Sequence, residues 1–233
     1  MPLGPPADLF WHNGPVSTES IEILSHLRET ALVCTRCALS ETRTQVVFGV
    51  GDPEAGLMLV GEAPGKNEDL QGEPFVGAAG RLLDTLLGEI GISRDEVYIA
   101  NVLKCRPPGN RDPRTEEIDE CKGYLREQIR LISPIVVVTL GNFATKLLLR
   151  TDVGITRMRG RRYPWWLGST LIPTFHPAAA LRSGDRVTDQ MRADFALVKA
   201  VLDEGRPIQP DLAADDGLGG GGAVDPAQME LFR

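Results

Sequence analysis

Four short apolar runs punctuate the chain: Leu57-Met58-Leu59-Val60, Val97-Tyr98-Ile99-Ala100, Ile135-Val136-Val137-Val138 and Leu171-Ile172-Pro173-Thr174-Phe175. They are unalternating and rich in branched residues, so they read as strands covered on both faces, the pattern of a parallel sheet. The segments 76–91, 114–132 and 141–150 between them suit crossover helices. Each ends at a break: Gly91-Ile92-Ser93, Ser133-Pro134 and Thr151-Asp152. Upstream, Ile21, Ile23, Leu24, Leu27, Ala31 and Leu32 approximate one helical face, with Ser17 or Thr18 as cap, and a last helix is expected over 187–203. Strand and helix alternate, which predicts a three-layer α/β/α single domain with a central, mostly parallel four-stranded sheet.

The ends of the chain lack this pattern. Residues 1–17 are rich in Pro and Gly and are expected to be poorly ordered, although they carry Phe10 and Trp11. The domain is expected over 18–204. Residues 205–226, with the run Gly219 to Gly222, read as a flexible acidic Gly/Pro linker, and 227–233 form an apolar C-terminal peptide. No stretch nears the 18 uninterrupted apolar residues of a membrane span, and the N-terminus has no signal-peptide pattern, so a cytoplasmic, membrane-free protein is expected, a monomer on present signs.

Charge changes the picture only after it is located. The net −7 argues against a nucleic-acid partner at first sight. Residues 203–233 hold seven acids and two bases, which leaves the body near neutral at −2. Within the body, basic residues gather at Lys104, Arg106, Arg111 and Arg114, at Arg157, Arg159, Arg161 and Arg162, and at Arg182, Arg186 and Arg192. Each cluster reads equally well as a solvated surface or as a contact for an anion.

In open parallel sheets, ligands bind beyond the carboxyl ends of the strands. Three of the four strand ends carry unusual residues: Gly61-Glu62-Ala63-Pro64-Gly65, Asn101, and His176-Pro177. Four cysteines complete the set. Cys34 and Cys37 form a C-x2-C pair, and Cys105 and Cys121 follow with fifteen residues between them. The count is far too low for a disulfide scaffold. Spacing alone leaves zinc, an iron-sulfur cluster and four ordinary buried cysteines open.

With these residues quoted, the chain resembles the family 4 uracil-DNA glycosylases over roughly residues 20–202. The resemblance rests on GEAPGKNEDLQGEPFVGAAGRLLD from Gly61, YIANVLKCRPPGNRDP from Tyr98 and TFHPAAALR from Thr174. It implies a 4Fe-4S cluster, structural in role, held by Cys34, Cys37, Cys105 and Cys121. It also implies an enzyme that flips uracil out of single- or double-stranded DNA and hydrolyses its N-glycosidic bond, leaving an abasic site to start base excision repair.

Residue by residue, the resemblance makes Phe75 the aromatic that stacks on the base and Asn101 the amide that reads its edge, with Ala63 beside them. His176 becomes the donor to uracil O2, where charge develops as the bond breaks. A carboxylate must orient water and stabilise an oxocarbenium-like sugar. The better-known family 1 enzymes carry an aspartate where this chain has Ala63, so Glu62 and Glu68 are expected to contribute, with Asp69 third. Lys66 raises lyase chemistry through a Schiff base, which the resemblance does not support; nor does it support covalent capture of the sugar, since Lys104 to Pro113 contains no histidine. Gly77 and Gly80, at a helix start, are expected at a DNA phosphate. Leu181 and Arg182 are expected to enter the vacated stack and contact DNA.

The tail also carries a motif: Gln228, Met229, Leu231 and Phe232 resemble the peptide by which bacterial repair proteins bind the sliding clamp. At the end of a flexible tether such a peptide is accessible. Two other readings remain: a glycosylase with broadened substrates such as hypoxanthine, and a non-catalytic iron-sulfur DNA-binding or clamp-tethered module. Loss of Asn101 or His176 would have favoured the module, and both are present.

Overall fold

The structure is a computed structural model that describes residues 17–205. The expected disorder of the first residues, nearly all of the linker and the C-terminal peptide lie outside the described residues. The elements are α1 (Thr18–Leu32), β1 (Val50–Gly51), β2 (Leu57–Gly61), α2 (Lys66–Gln71), α3 (Ala78–Glu89), β3 (Tyr98–Asn101), α4 (Thr115–Ile132), β4 (Val136–Leu140), α5 (Asn142–Leu149), α6 (Ile155–Met158), β5 (Tyr163–Pro164), β6 (Thr170–Thr174), α7 (Pro177–Ser183) and α8 (Asp185–Glu204). Ser17 caps α1 as its sequence suggests, its hydroxyl accepting from the Ser20 N–H at 3.2 Å.

The sheet has six strands in the order β1-β3-β2-β4-β6-β5. Its inner four are parallel and coincide with the four apolar runs, while β1 and β5 add antiparallel edges. The expected four-stranded sheet is therefore corrected to six: the extra strands are two residues long and carry no apolar run to reveal them. Pro173 sits inside β6 without cost, because its carbonyl accepts from Gly160 N–H and its nitrogen therefore faces the same side, past the end of β5.

Side chains alternate across each inner strand, and this splits the core in two. Met58, Val60, Tyr98, Ala100, Val137 and Leu171 pack with Leu24 and Ala31 of α1, Tyr124, Leu125 and Ile129 of α4, and Ala144 and Leu148 of α5. Leu57, Leu59, Ile99, Val136, Val138 and Ile172 pack with Leu83, Leu86 and Leu87 of α3 and Met191, Phe195 and Val198 of α8. Helices on both faces bear out the three-layer domain. The register pairs Gly61 with Asn101 and Leu140 with Thr174, so the motif-bearing strand ends lie side by side.

Candidate active site

The loop after β2 and the end of β3 build a tight pocket wall. Asn101 is 2% exposed, and its Oδ1 is buried with no hydrogen-bond partner. A carboxamide oxygen in that state is an acceptor waiting for a donor, because burial without a partner costs roughly 1–3 kcal/mol. Gly61 explains the space beside it: a Cβ there would lie 2.3 Å from Asn101 Oδ1 and 2.7 Å from Phe75 Cζ. Phe75 is buried and its backbone takes a φ of 55°, a strained choice for an aromatic residue that places its ring against this spot. The same ring stacks on His176, with centroids 5.6 Å apart.

The Phe75 conformation depends on two neighbours. Gly80 is fully packed, and a Cβ on it would come within 1.7 Å of the Phe75 carbonyl oxygen. Glu68 Oε1 accepts from the Val76 N–H at 3.2 Å. The structure thus gives Gly80 a packing role against the Phe75 carbonyl, and Gly77 is the N-cap of α3 without a side-chain cap. Asp69 has a structural partner. It is buried and accepts from the Thr44 N–H at 2.9 Å, so it ties α2 to the preceding loop and faces no substrate.

His176 caps α7, its Nδ1 accepting from the Ala178 N–H at 3.1 Å. That bond leaves the ring proton on Nε2, available as a donor. Burial, reinforced by the charge of Arg182, pushes its pKa down to about 4, so the imidazole is neutral at ordinary pH. Upstream, Thr174 donates to Asp194 Oδ2 at 2.6 Å and Arg159 Nε to the same oxygen at 3.0 Å, which braces β6 two residues before the histidine.

His176, Glu62, Ala63 and Arg182 open onto a groove of about 850 Å3 that also takes in Asp112, Asn142 and Lys146. Glu62 is the half-buried carboxylate of that groove, Asp112 and Asp152 being exposed: burial and the Asp112 charge hold its pKa above the usual glutamate value. Glu68 is absent from the groove lining, its carboxylate serving the Phe75 loop instead. Lys66 is exposed, without the burial that imine chemistry needs. Leu181 is 53% exposed, so it is no core residue, and it stands beside Arg182 on α7.

The basic clusters resolve differently from one another. Arg111 pairs with Glu117, Arg159 with Asp194, Arg162 with Glu204, and Arg192 with Glu89 and Asp189. Lys104 is buried. Arg182, Lys146 and Arg150 are the cationic side chains lining the groove, and nothing in sequence distinguished Lys146 or Arg150.

The four cysteines come together from distant segments. All are free thiols, and all line one cavity with Arg36, Arg43 and Lys104 around them. Arg43 Nη1 donates to Cys105 Sγ at 3.3 Å and the Lys104 N–H to Cys121 Sγ at 3.2 Å. Burial pushes the Cys121 thiol up to about 11 and raises Cys105 too. Among the described residues, no three His, Cys, Asp or Glu groups are arranged to hold a single metal ion.

Residues 48–199 match the family model described as the uracil DNA glycosylase superfamily. The chain is 47% identical to a type-4 uracil-DNA glycosylase of Sulfurisphaera tokodaii over 69% of this chain and 77% of that one. It is 41% identical to the type-4 enzyme of Archaeoglobus fulgidus over 80% of this chain and 97% of that one, and 47% identical to that of Thermotoga maritima over 70% and 85%. The neutral histidine, the orphaned amide and the half-buried carboxylate therefore sit on a matched framework, and this chain belongs to the uracil-DNA glycosylase superfamily, in its type-4 branch.

Proposed function

We propose that this protein removes uracil from DNA by hydrolysis, with base recognition centred on Asn101. The observation that carries this reading is the unpartnered, buried Asn101 Oδ1, packed closely against Gly61 beside the Phe75 ring. Uracil offers N3–H to that oxygen and accepts at O4 from the amide of the same side chain; cytosine presents the reverse pattern and leaves both groups unsatisfied. Phe75 supplies the apolar face on which an extruded base stacks.

As the C1′–N1 bond breaks, its electron pair moves onto the uracil ring. The His176 Nε2–H stabilises the growing charge at O2 by hydrogen bonding alone, which a neutral imidazole does without transferring its proton. Glu62 holds a water for attack on C1′, takes the proton that water loses, and offsets the positive charge of the sugar. Glu68 acts at one remove by holding the Phe75 loop. Arg182, Lys146 and the Gly77 helix end receive the DNA backbone, and Leu181 occupies the vacated stack.

The cysteine cavity supports the cluster reading by its donor set. Four cysteines ring one cavity, with N–H donors and cationic side chains on the sulfurs, a donor set that supports a 4Fe-4S cluster taking one thiolate per iron. When bound, the cluster supplies a cross-link between Cys34, Cys37, Cys105 and Cys121. The C-terminal residues Gln228, Met229, Leu231 and Phe232 lie outside the described residues; we assign them a sliding clamp as partner on the peptide's resemblance.

The test is Asn101→Ala assayed for uracil release from a labelled oligonucleotide. Loss of two hydrogen bonds to a buried base predicts a roughly 10²–10⁴-fold fall in excision with visible cluster absorbance retained. Unchanged excision refutes the assignment.

A further inference from the structure

Lys104 is 1% exposed, and nothing in the catalytic scheme uses it. Taking an ammonium out of water is costly unless its donors are well placed. Here they are. Nζ donates to the Asn101 carbonyl at 2.9 Å and to Gln128 Oε1 at 2.5 Å, and it stands 5.8 Å from the centre of the Phe48 ring. Gln128 is itself fully buried and held by the Phe48 carbonyl at 2.9 Å and the Tyr98 hydroxyl at 3.1 Å, so the lysine is anchored to a fixed acceptor.

The recipient of that anchor is the base-reading residue. Asn101 ends β3, its pairing with Gly61 is the last of the β2–β3 ladder, and its Oδ1 has no partner to aim it. Orientation of the carboxamide therefore comes from its packing against Gly61 and Phe75 and from the backbone that carries it. The Lys104 ammonium fixes the carbonyl of the peptide that leaves Asn101. The backbone of the same lysine donates to Cys121 Sγ at 3.2 Å and accepts from the Val47 N–H at 2.7 Å.

We propose that Lys104 is a positioning residue for base recognition, joining the cysteine cavity and the Asn101 amide into one rigid unit. The proposal rests on Asn101 reading the base. It explains why a lysine is buried between sulfurs and a strand end: one side chain holds the reader's peptide while its own backbone holds a sulfur. It also makes the sulfur site part of the specificity apparatus through geometry.

The experiment uses the full chain with its metal group, and the near-isosteric variant Lys104→Met. Three quantities are measured: visible absorbance per protein, affinity for free uracil and for abasic DNA, and single-turnover excision. Loss of a buried hydrogen bond predicts about a 10-fold fall in excision. Free uracil binding should weaken, while absorbance and abasic-DNA affinity stay at the wild-type level. In an Asn101→Ala background the same substitution should change excision by less than about twofold, because the residue it acts through is gone. Equal losses in both backgrounds, or unchanged excision in the single variant, overturn the proposal. If Lys104→Met fails to fold or load, Gln128→Met removes the lysine's anchor and asks the same question, with a several-fold loss expected that also disappears without Asn101; persistence of that loss is equally fatal. Failure of the base-reading assignment itself shows separately, as unimpaired excision by Asn101→Ala alone.

Discussion

Gly61→Ala is the sharpest probe of the pocket, because the methyl group it adds has a calculable destination. The new Cβ would lie 2.3 Å from Asn101 Oδ1 and 2.7 Å from Phe75 Cζ, where ordinary contacts run about 3.5–4.0 Å. At least one wall must retreat by roughly 1 Å, and a misplacement of that size at a reacting centre costs about 10²-fold in rate. The structural penalty is smaller in proportion. Overpacking a buried site typically costs about 1–3 kcal/mol, against a total stability of roughly 5–15 kcal/mol. The variant should therefore fold, show a lowered melting temperature, and excise uracil at least about a hundredfold more slowly in single-turnover assays. Gly88→Ala provides the control: it lies on α3 with nothing within 4 Å of its would-be Cβ, so it should leave excision unchanged and add a few tenths of a kcal/mol of helix stability, up to about 1. Excision by Gly61→Ala at the wild-type rate would show that the placement of Asn101 and Phe75 against Gly61 does not govern excision.

Four further outcomes follow from the geometry. Because burial and Asp112 raise the Glu62 pKa, the anion is lost as pH falls through that raised value, so the acid limb of kcat/KM should lie above 4.5 and move down in Asp112→Asn; an unmoved limb contradicts the role given to Glu62. His176 should add no step near 6.5, and since the unfolded chain takes up that proton first, its contribution to stability declines as pH falls from 6.5 towards 4, which His176→Gln melts at a series of pH values will show by the absence of the decline. Cys121→Ser should abolish visible absorbance and, at about 3 kcal/mol for a lost long-range cross-link, lower Tm by roughly 6–12 °C; a variant that keeps its colour removes Cys121 from the ligand set. Leu181→Ala should leave the melt within about 0.5 kcal/mol and slow excision from duplex more than from single-stranded DNA, and equal slowing on both substrates excludes a wedge.

The parallel strands were legible because strands covered on both faces must be apolar at every position, and Leu57–Val60 or Ile135–Val138 satisfy that without turns to confuse the period. Helices α2, α6 and α7 were not, being four to seven residues long and too short to show a helical period. Among site residues, Asn101 and His176 were visible as unusual types at strand ends. The carboxylates were harder, since Glu62, Glu68 and Asp69 are interchangeable on paper and are sorted only by what each touches: groove, Val76 N–H and Thr44 N–H. Lys104 was misread as part of a surface cluster. A lysine between apolar residues and a cysteine looks exposed by type, and only the distant Gln128 on α4 reveals where its charge is lodged.

Helix α1 is fifteen residues long, yet Leu24 and Ala31 are the ones it buries fully, and Cys34 and Cys37 follow directly after it. An amphipathic segment with so small an apolar anchor is a weakly held unit of the fold. Its attachment to α4 and to the loop after β3 would then depend on the sulfurs more than on packing. If the proposed cluster is lost, the cross-link that joins Cys34 and Cys37, just after this helix, to Cys105 and Cys121 goes with it, and α1 keeps only its packing as a tie to the body of the domain.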